Sequence, residues 1–135
     1  TTTLESLGSH NAVRIPVMAA RSGFAVEEYA RRRGDFAIVG IAAVLEGDAA
    51  GCTRARLTTA GVGGRPLRLR AAEALLEKNG LGTDNIAAAC RTAMETVEPT
   101  SDPGASADFR RHLTGVLAER ALTRAAAMLL ENRNG

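Results

Sequence analysis

The apolar residues of this chain change period once, near Arg70, and that change limits the fold more than any composition figure. Before it, apolar residues alternate with polar ones or run in short blocks bounded by Gly and Asp, the signature of strands. After it, they recur at three- and four-residue spacing, the signature of helices. Strands first and helices later, without strict alternation, predict an α+β domain. Its core is a small antiparallel sheet of three to four strands with about three helices packed on it.

Residues 1–12 are rich in Thr, Ser and Gly and read as a flexible arm or linker, leaving 13–133 as the domain. Val13 to Pro16 is extended, Gly23 to Tyr29 reads as a short strand, and Phe36 to Leu45 is apolar at both alternating positions, which suits a strand covered on both sides. A turn over residues 46–51 leads into Cys52 to Thr59, with Arg54 and Arg56 on one face and Ala55 and Leu57 on the other. Pro66 to Leu69 suits a short edge segment, where a residue without an N–H is tolerated. Arg70 to Lys78 then reads as a helix stopped by Asn79-Gly80. A second helix runs from about Asp84 to Val97, capped by Thr83 or Asp84, with Ile86, Cys90, Ala93 and Val97 on one stripe. The last is long and capped by Ser106, with Phe109, Leu113, Val116, Leu117, Ala121, Ala125, Met128 and Leu129 at helical spacing.

A length of 135 residues fits one domain. Three Phe, one Tyr and no Trp leave the core to Ala, Leu, Val and Ile, which favours close helix packing over large pockets. A formal net charge of +2 falls short of the basic excess that marks a nucleic-acid partner. Cys52 and Cys90 have no CxxC or His-containing ligand cluster around them and read as inert, reduced thiols. The apolar runs break off well short of the ~20 residues a membrane span needs, and the chain opens without a signal pattern. A cytoplasmic chain with no membrane partner is expected.

Ala30-Arg31-Arg32-Arg33-Gly34-Asp35-Phe36-Ala37 sets three guanidiniums and a carboxylate in a tight loop before the longest apolar strand. Guanidinium forks pair with carboxylates and phosphates, so such a loop suits an anionic group. The bland alternative is a solvated turn in which Asp35 pairs with a neighbouring arginine. Together with Val13-Arg14-Ile15-Pro16 and Ser106-Ala107-Asp108-Phe109-Arg110-Arg111-His112-Leu113, the loop resembles the C-terminal domain of the FAD-binding (medium) subunit of molybdenum hydroxylases, the family of carbon monoxide dehydrogenase and xanthine dehydrogenase flavoproteins. The resemblance spans roughly residues 12 to 130.

The resemblance implies that Arg31, Arg32, Arg33, Gly34 and Asp35 lie beside the flavin and near a subunit boundary. Members of the family commonly carry an aromatic residue near the flavin at the position of Val26, and Tyr29 stands three residues on. It implies FAD in the intact subunit, with a molybdenum cofactor and iron–sulfur clusters on partner subunits. The domain would cover one side of the flavin and dock partner subunits during electron transfer from iron–sulfur clusters to FAD. The family's glycine-rich FAD segments, of the kinds Ala-Gly-Gly-Gly and Thr-x-Gly-Gly, do not occur here, so the FAD-binding domains of the same subunit are a further implied partner, and this chain alone is not expected to retain FAD.

Nothing else in the chain assembles a complete active site. Gly61-Val62-Gly63-Gly64 has the G-x-x-G spacing of KH domains, with a structural turn as the plainer account. His112 lies beside Arg110 and Arg111 on a basic helix face without a third ligand, and Glu27 with Glu28, or Asp35 with Glu46, are not forced together as acid–base pairs. The alternative left open is a stand-alone α+β interaction or nucleic-acid-binding module using the arginines and the G-x-x-G turn.

Overall fold

A computed structural model of the chain describes residues 2–5, 12–48 and 51–133. The strands are β1 (Thr2–Glu5), β2 (Ala12–Ile15), β3 (Ser22–Tyr29), β4 (Val39–Asp48), β5 (Gly51–Ala60) and β6 (Leu67–Arg68). The helices are α1 (Arg70–Asn79), α2 (Thr83–Thr96) and α3 (Ala107–Arg133). Strands β3, β4, β5 and β6 form one antiparallel sheet in that order, and β1 pairs with β2 in a separate ribbon. The α+β class and the order of strands then helices are as the periodicity predicts. Part of the stretch read as an arm is therefore strand β1, while residues 1 and 6–11 lie outside the described residues.

The strand period sets the layers. Val39, Ile41, Ala43 and Leu45 of β4 share one buried face with Ala25 of β3 and with Ala55, Leu57 and Thr59 of β5. Helix α3 lies across β3 and β4 on that face, α1 lies on β5, and α2 packs on α1 and α3. Leu113, Leu117, Ala121, Ala125 and Leu129 are buried, as their spacing predicts. Thr114, Ala118 and Leu122 are buried too, because α3 is held between the sheet and α2. With so few aromatic side chains the layers close tightly. At Gly23 a side chain would collide with the Ala125 carbonyl and the Leu129 nitrogen, so α3 lies backbone-close on β3.

Three expectations are corrected. The apolar run from Phe36 enters the sheet only at Val39, because the Ile38 N–H turns back to the Tyr29 carbonyl (2.7 Å) and leaves Phe36 in the loop, 99% exposed. Among the described residues β4 is covered on one face only, with Gly40, Ala42 and Val44 on the other. Helix α2 has Gly82 at its N-cap and no capping side chain, while the Asn85 amide bonds the Asn79 carbonyl instead. The Ser106 cap does form, its hydroxyl accepting from the Phe109 N–H at 3.1 Å.

Helix side chains close part of both sheet edges, where unpaired N–H and C=O groups would recruit foreign strands. Strand β6 covers only Thr58 and Thr59 of β5. Next to it, Glu73 accepts the Leu57 N–H and Glu77 the Ala55 N–H, each at 2.9 Å, from adjacent turns of α1. On the opposite edge, the Asn132 amide donates to the Ser22 carbonyl and the Met128 sulfur accepts from the Phe24 N–H.

Glu73 is buried and receives two further bonds from the Arg68 guanidinium, at 2.9 and 2.6 Å. Burial pushes its carboxyl up, but the guanidinium and the Leu57 N–H outweigh burial and hold it below the ordinary value of 4.5. Its contribution to stability is therefore full above the ordinary glutamate value and lost as the pH falls below it. Glu73→Gln should cost about 1–3 kcal/mol at neutral pH and flatten the acid-induced fall in melting temperature. An acid profile identical to that of the wild type would show that Glu73 does not carry this linkage.

Candidate functional site

One guanidinium fastens the loop between β3 and β4 to the helix layer. Arg110, in the first turn of α3 and only 9% exposed, donates from Nη1 to the Ile38 and Gly61 carbonyls, both at 2.7 Å. Its Nη2 donates to both Asp102 oxygens, at 3.0 and 2.8 Å. Asp102 in turn accepts the Ala105 and Gly104 N–H groups, and these bonds, with that of Arg110, hold its carboxyl below the usual aspartate range. The end of the loop, the turn after β5 and the segment before α3 thus meet at a single side chain. The expectation of a basic surface shared by Arg110, Arg111 and His112 is corrected, since Arg110 is buried while His112 is exposed. Its position carried a signal: Arg110, Thr114, Leu117 and Ala121 recur at helical spacing, which places the arginine on the inward stripe.

Above this anchor the loop is presented outward. Asp35 N–H bonds the Arg32 carbonyl at 3.2 Å, and Gly34 takes φ +84°, a conformation that glycine adopts without strain. Arg31, Arg32, Arg33 and Asp35 are exposed, and their side chains form no hydrogen bond or ion pair among the described residues. The pairing of Asp35 with a neighbouring arginine, the bland alternative, does not form. Tyr29 sits at the loop's base with its ring edge-on to Phe109, centroids 5.8 Å apart at 87°.

Val26 is elsewhere. Three residues from Tyr29 on a strand of period two, it stands on the opposite face of the sheet, 65% exposed. That open face carries Phe24, Val26 and Glu28 of β3, Gly40, Ala42 and Val44 of β4, and Arg56, Thr58 and Ala60 of β5. The register sets Phe24 opposite Val44, Val26 opposite Ala42, Ala42 opposite Thr58, and Gly40 opposite Ala60. The result is a patch of small side chains edged by exposed Phe24 and Val26, with Glu28 opposite Gly40 at one end and Arg56 opposite Val44 at the other. The structure therefore joins Tyr29 to the arginine loop and leaves Val26 on a separate surface.

The remaining candidates take structural places. Gly61 to Gly64 link β5 to β6 with Val62 buried, which is a strand connection and not the helix-joining loop of a KH domain. Glu27 pairs with Arg124 of α3 at 2.5 Å instead of with Glu28. Cys52 and Cys90 are free and buried, and burial raises both thiols, that of Cys90 to about 11, well away from the thiolate range of a nucleophile. No group of three or more His, Cys, Asp or Glu able to hold a metal occurs among the described residues, and none of their helices is long and apolar enough to cross a membrane.

The family model for the CO dehydrogenase flavoprotein C-terminal domain matches residues 24–125, and the chain belongs to that family. It is 36% identical over 114 residues to the 6-hydroxypseudooxynicotine dehydrogenase complex subunit alpha of Paenarthrobacter nicotinovorans, covering 84% of this chain and 38% of that protein. It is 32% identical over 116 residues to the carbon monoxide dehydrogenase medium chain of Afipia carboxidovorans, covering 86% and 40%. Among solved structures, a carbon monoxide dehydrogenase from Hydrogenophaga pseudoflava superposes with a TM-score of 0.79 at 31% identity, over 91% of this chain and 44% of the other. Quinoline 2-oxidoreductase from Pseudomonas putida 86 gives 0.77 at 30% identity, over 88% and 40%. The chain thus spans about two-fifths of the length of these relatives.

Replacing Arg110 by Ala removes four bonds and leaves two backbone carbonyls unpaired. Arg110→Ala should therefore destabilise the chain by about 3 kcal/mol and speed hydrogen exchange at Ile38 and at Ala105. Lysine, a single point donor, should recover little of that. An unchanged melting temperature in Arg110→Ala would show that the loop is held by something else.

Proposed function

We propose that this chain is the C-terminal domain of the FAD-binding subunit of a molybdenum-containing hydroxylase, and that its open sheet face covers one side of the flavin. The observation that carries the reading is the patch of small apolar side chains around Val26, between Glu28 and Arg56 and left uncovered by the described residues, in a domain of the CO dehydrogenase flavoprotein family. Gly40, Ala42 and Ala60 leave room for a planar ring, and Phe24 and Val26 supply dispersion contacts at its margin. The fit ends at the ring. A pyrophosphate needs close-packed backbone N–H groups, and the glycine-rich segments that would supply them belong, on this reading, to the FAD-binding domains of the same subunit.

When bound, FAD would pass to an acceptor the electrons arriving from iron–sulfur clusters on one partner subunit, the molybdenum cofactor lying on another. The chain's own part is to exclude water from one ring face and to hold Arg31, Arg32, Arg33, Gly34 and Asp35 at its border, Arg110 fixing their height. Tyr29 acts as a strut between loop and helix and does not face the ring. A cytoplasmic location belongs to the same reading.

Val26→Asp in the intact flavoprotein places a charge on the patch. It should lower flavin content or shift flavin fluorescence and reduction kinetics, while Glu119→Gln on the exposed side of α3 should change neither. The 135-residue chain by itself should purify colourless. Flavin spectra and kinetics untouched by Val26→Asp in a folded subunit would overturn the open-face reading, and equimolar flavin on the isolated chain would overturn the division of labour between domains.

A further inference from the structure

We propose that the free edge of β3 takes up one more strand, an extended segment supplied by the rest of the same subunit, so that in the whole flavoprotein the four-stranded sheet gains a fifth member. This deepens the reading above and rests on it. Strand β3 ends the sheet on one side. The Gly47 N–H bonds the Arg21 carbonyl, and the unbroken register from there puts Gly23, Ala25 and Glu27 in the bonding positions toward β4. Ser22, Phe24, Val26 and Glu28 therefore aim their N–H and C=O groups away from the sheet. The bonds at the first two agree: α3 reaches the Ser22 carbonyl with Asn132 and the Phe24 N–H with Met128. Past Phe24 that cover stops. The Phe24 carbonyl and both backbone polar groups of Val26 and of Glu28 have no partner among the described residues.

A row of unpaired backbone groups is a template for strand addition unless proline, lysine or a bulge blunts it, and β3 has none of these. A groove of about 550 Å³ runs beside it, lined by Glu27 of β3 and by Val116, Arg120, Thr123 and Arg124 of α3, and gives the incoming side chains a place on the helix side. Glu27, the charge that stands at this edge, is already paired with Arg124. On the other side the incoming strand lies beside exposed Phe24 and Val26 and beside Glu28. Alternation then defines the segment: apolar residues next to Phe24 and Val26, a basic one next to Glu28, and polar ones over the groove. The length of the opening selects its source. Phe24 to Glu28 spans about 17 Å, and a strand of that length buries far less than the roughly 1,600 Å² of a standard interface between separate proteins. A segment tethered within the same polypeptide avoids most of the association cost. The relatives are long enough to hold one, since this chain spans about two-fifths of their length. The added strand widens the patch at its Val26 margin and leaves Gly40, Ala42 and Ala60 open to the flavin.

The test reads amide hydrogen exchange and photocrosslinking in the intact flavoprotein subunit. The Val26 and Glu28 amides should exchange as slowly as those of Ala25 and Glu27, and at least about tenfold more slowly than the Arg32 and Arg33 amides of the exposed loop. Glu28→Pro deletes one outward donor and no bond to β4, so it should speed exchange at Val26 severalfold while Ala25 keeps its protection. Glu28→Gln, which keeps the donor, should change neither. A benzophenone photocrosslinker in place of Thr123, in the groove, should join to a segment of the same polypeptide outside these 135 residues. Val26 and Glu28 amides that exchange as fast as the loop in a subunit that holds flavin would overturn the proposal and leave the flavoprotein reading standing. A crosslink to a second copy, or protection that arises only after the partner subunits assemble, would overturn it as well. An intact wild-type subunit without flavin would sink the flavoprotein reading and this proposal together.

Discussion

The Arg110 guanidinium is the point at which sheet, loops and helices are tied together. It leaves the first turn of α3 and ends on two carbonyls at the same end of β4 and β5, and Asp102 completes the planar fork. A buried guanidinium is costly to desolvate, and only full pairing offsets that cost. Here four acceptor contacts supply it, so the arrangement is held to one geometry. A lysine would satisfy one or two of these acceptors, and an apolar residue would leave two carbonyls dry. That one side chain ties the start of this 27-residue helix, which crosses β3 and β4, to the ends of β4 and β5.

The far edge of the sheet is settled by a second charged group. A sheet of four strands whose last member has two residues would leave most of one edge unpaired. Helix α1 fills the gap with carboxylates: Glu73 and Glu77, one turn apart, meet the N–H groups of Leu57 and Ala55, which are two residues apart. The helical rise over four residues is about 6 Å and the strand rise over two is about 6.6 Å. The two repeats agree closely enough for both bonds to form, and this match registers α1 against β5.

The periodicities carried most of the architecture. Strands β4 and β5, all three helices, the Ser106 cap and the inward stripe of α3 are legible because each rests on local pattern. The beginning of β4 was not legible, since Phe36-Ala37-Ile38 is apolar whether it enters a sheet or stands in water; what decides is the Ile38 N–H returning to Tyr29, a pairing set by the hairpin. Arg110 was hidden for another reason. Sequence places charge on surfaces by default, and although its helical spacing pointed inward, the two carbonyls it bonds lie 72 and 49 residues away in the chain. Val26 and Tyr29, grouped by nearness in sequence, are separated by the strand period itself, a distinction the sequence already contained.

The open face explains why β4 looked like a strand covered on both sides. Gly40, Ala42 and Val44 carry nothing that seeks water, and neither do Val26 and Phe24 beside them, yet none of the described helices packs over them. In a self-sufficient domain the solvent face of an antiparallel sheet alternates to polar residues, as it does here where Arg54 and Glu46 face each other at the far end. The break in that rule is local to the middle of the face, between Glu28 near the arginine loop and Arg56 opposite Val44. Apolar residues maintained on a solvent face add nothing to the stability of the isolated chain and raise its tendency to associate. On the reading proposed above, the rest of the flavoprotein would cover this patch, and the small side chains of Gly40, Ala42 and Ala60 would let a planar group approach it.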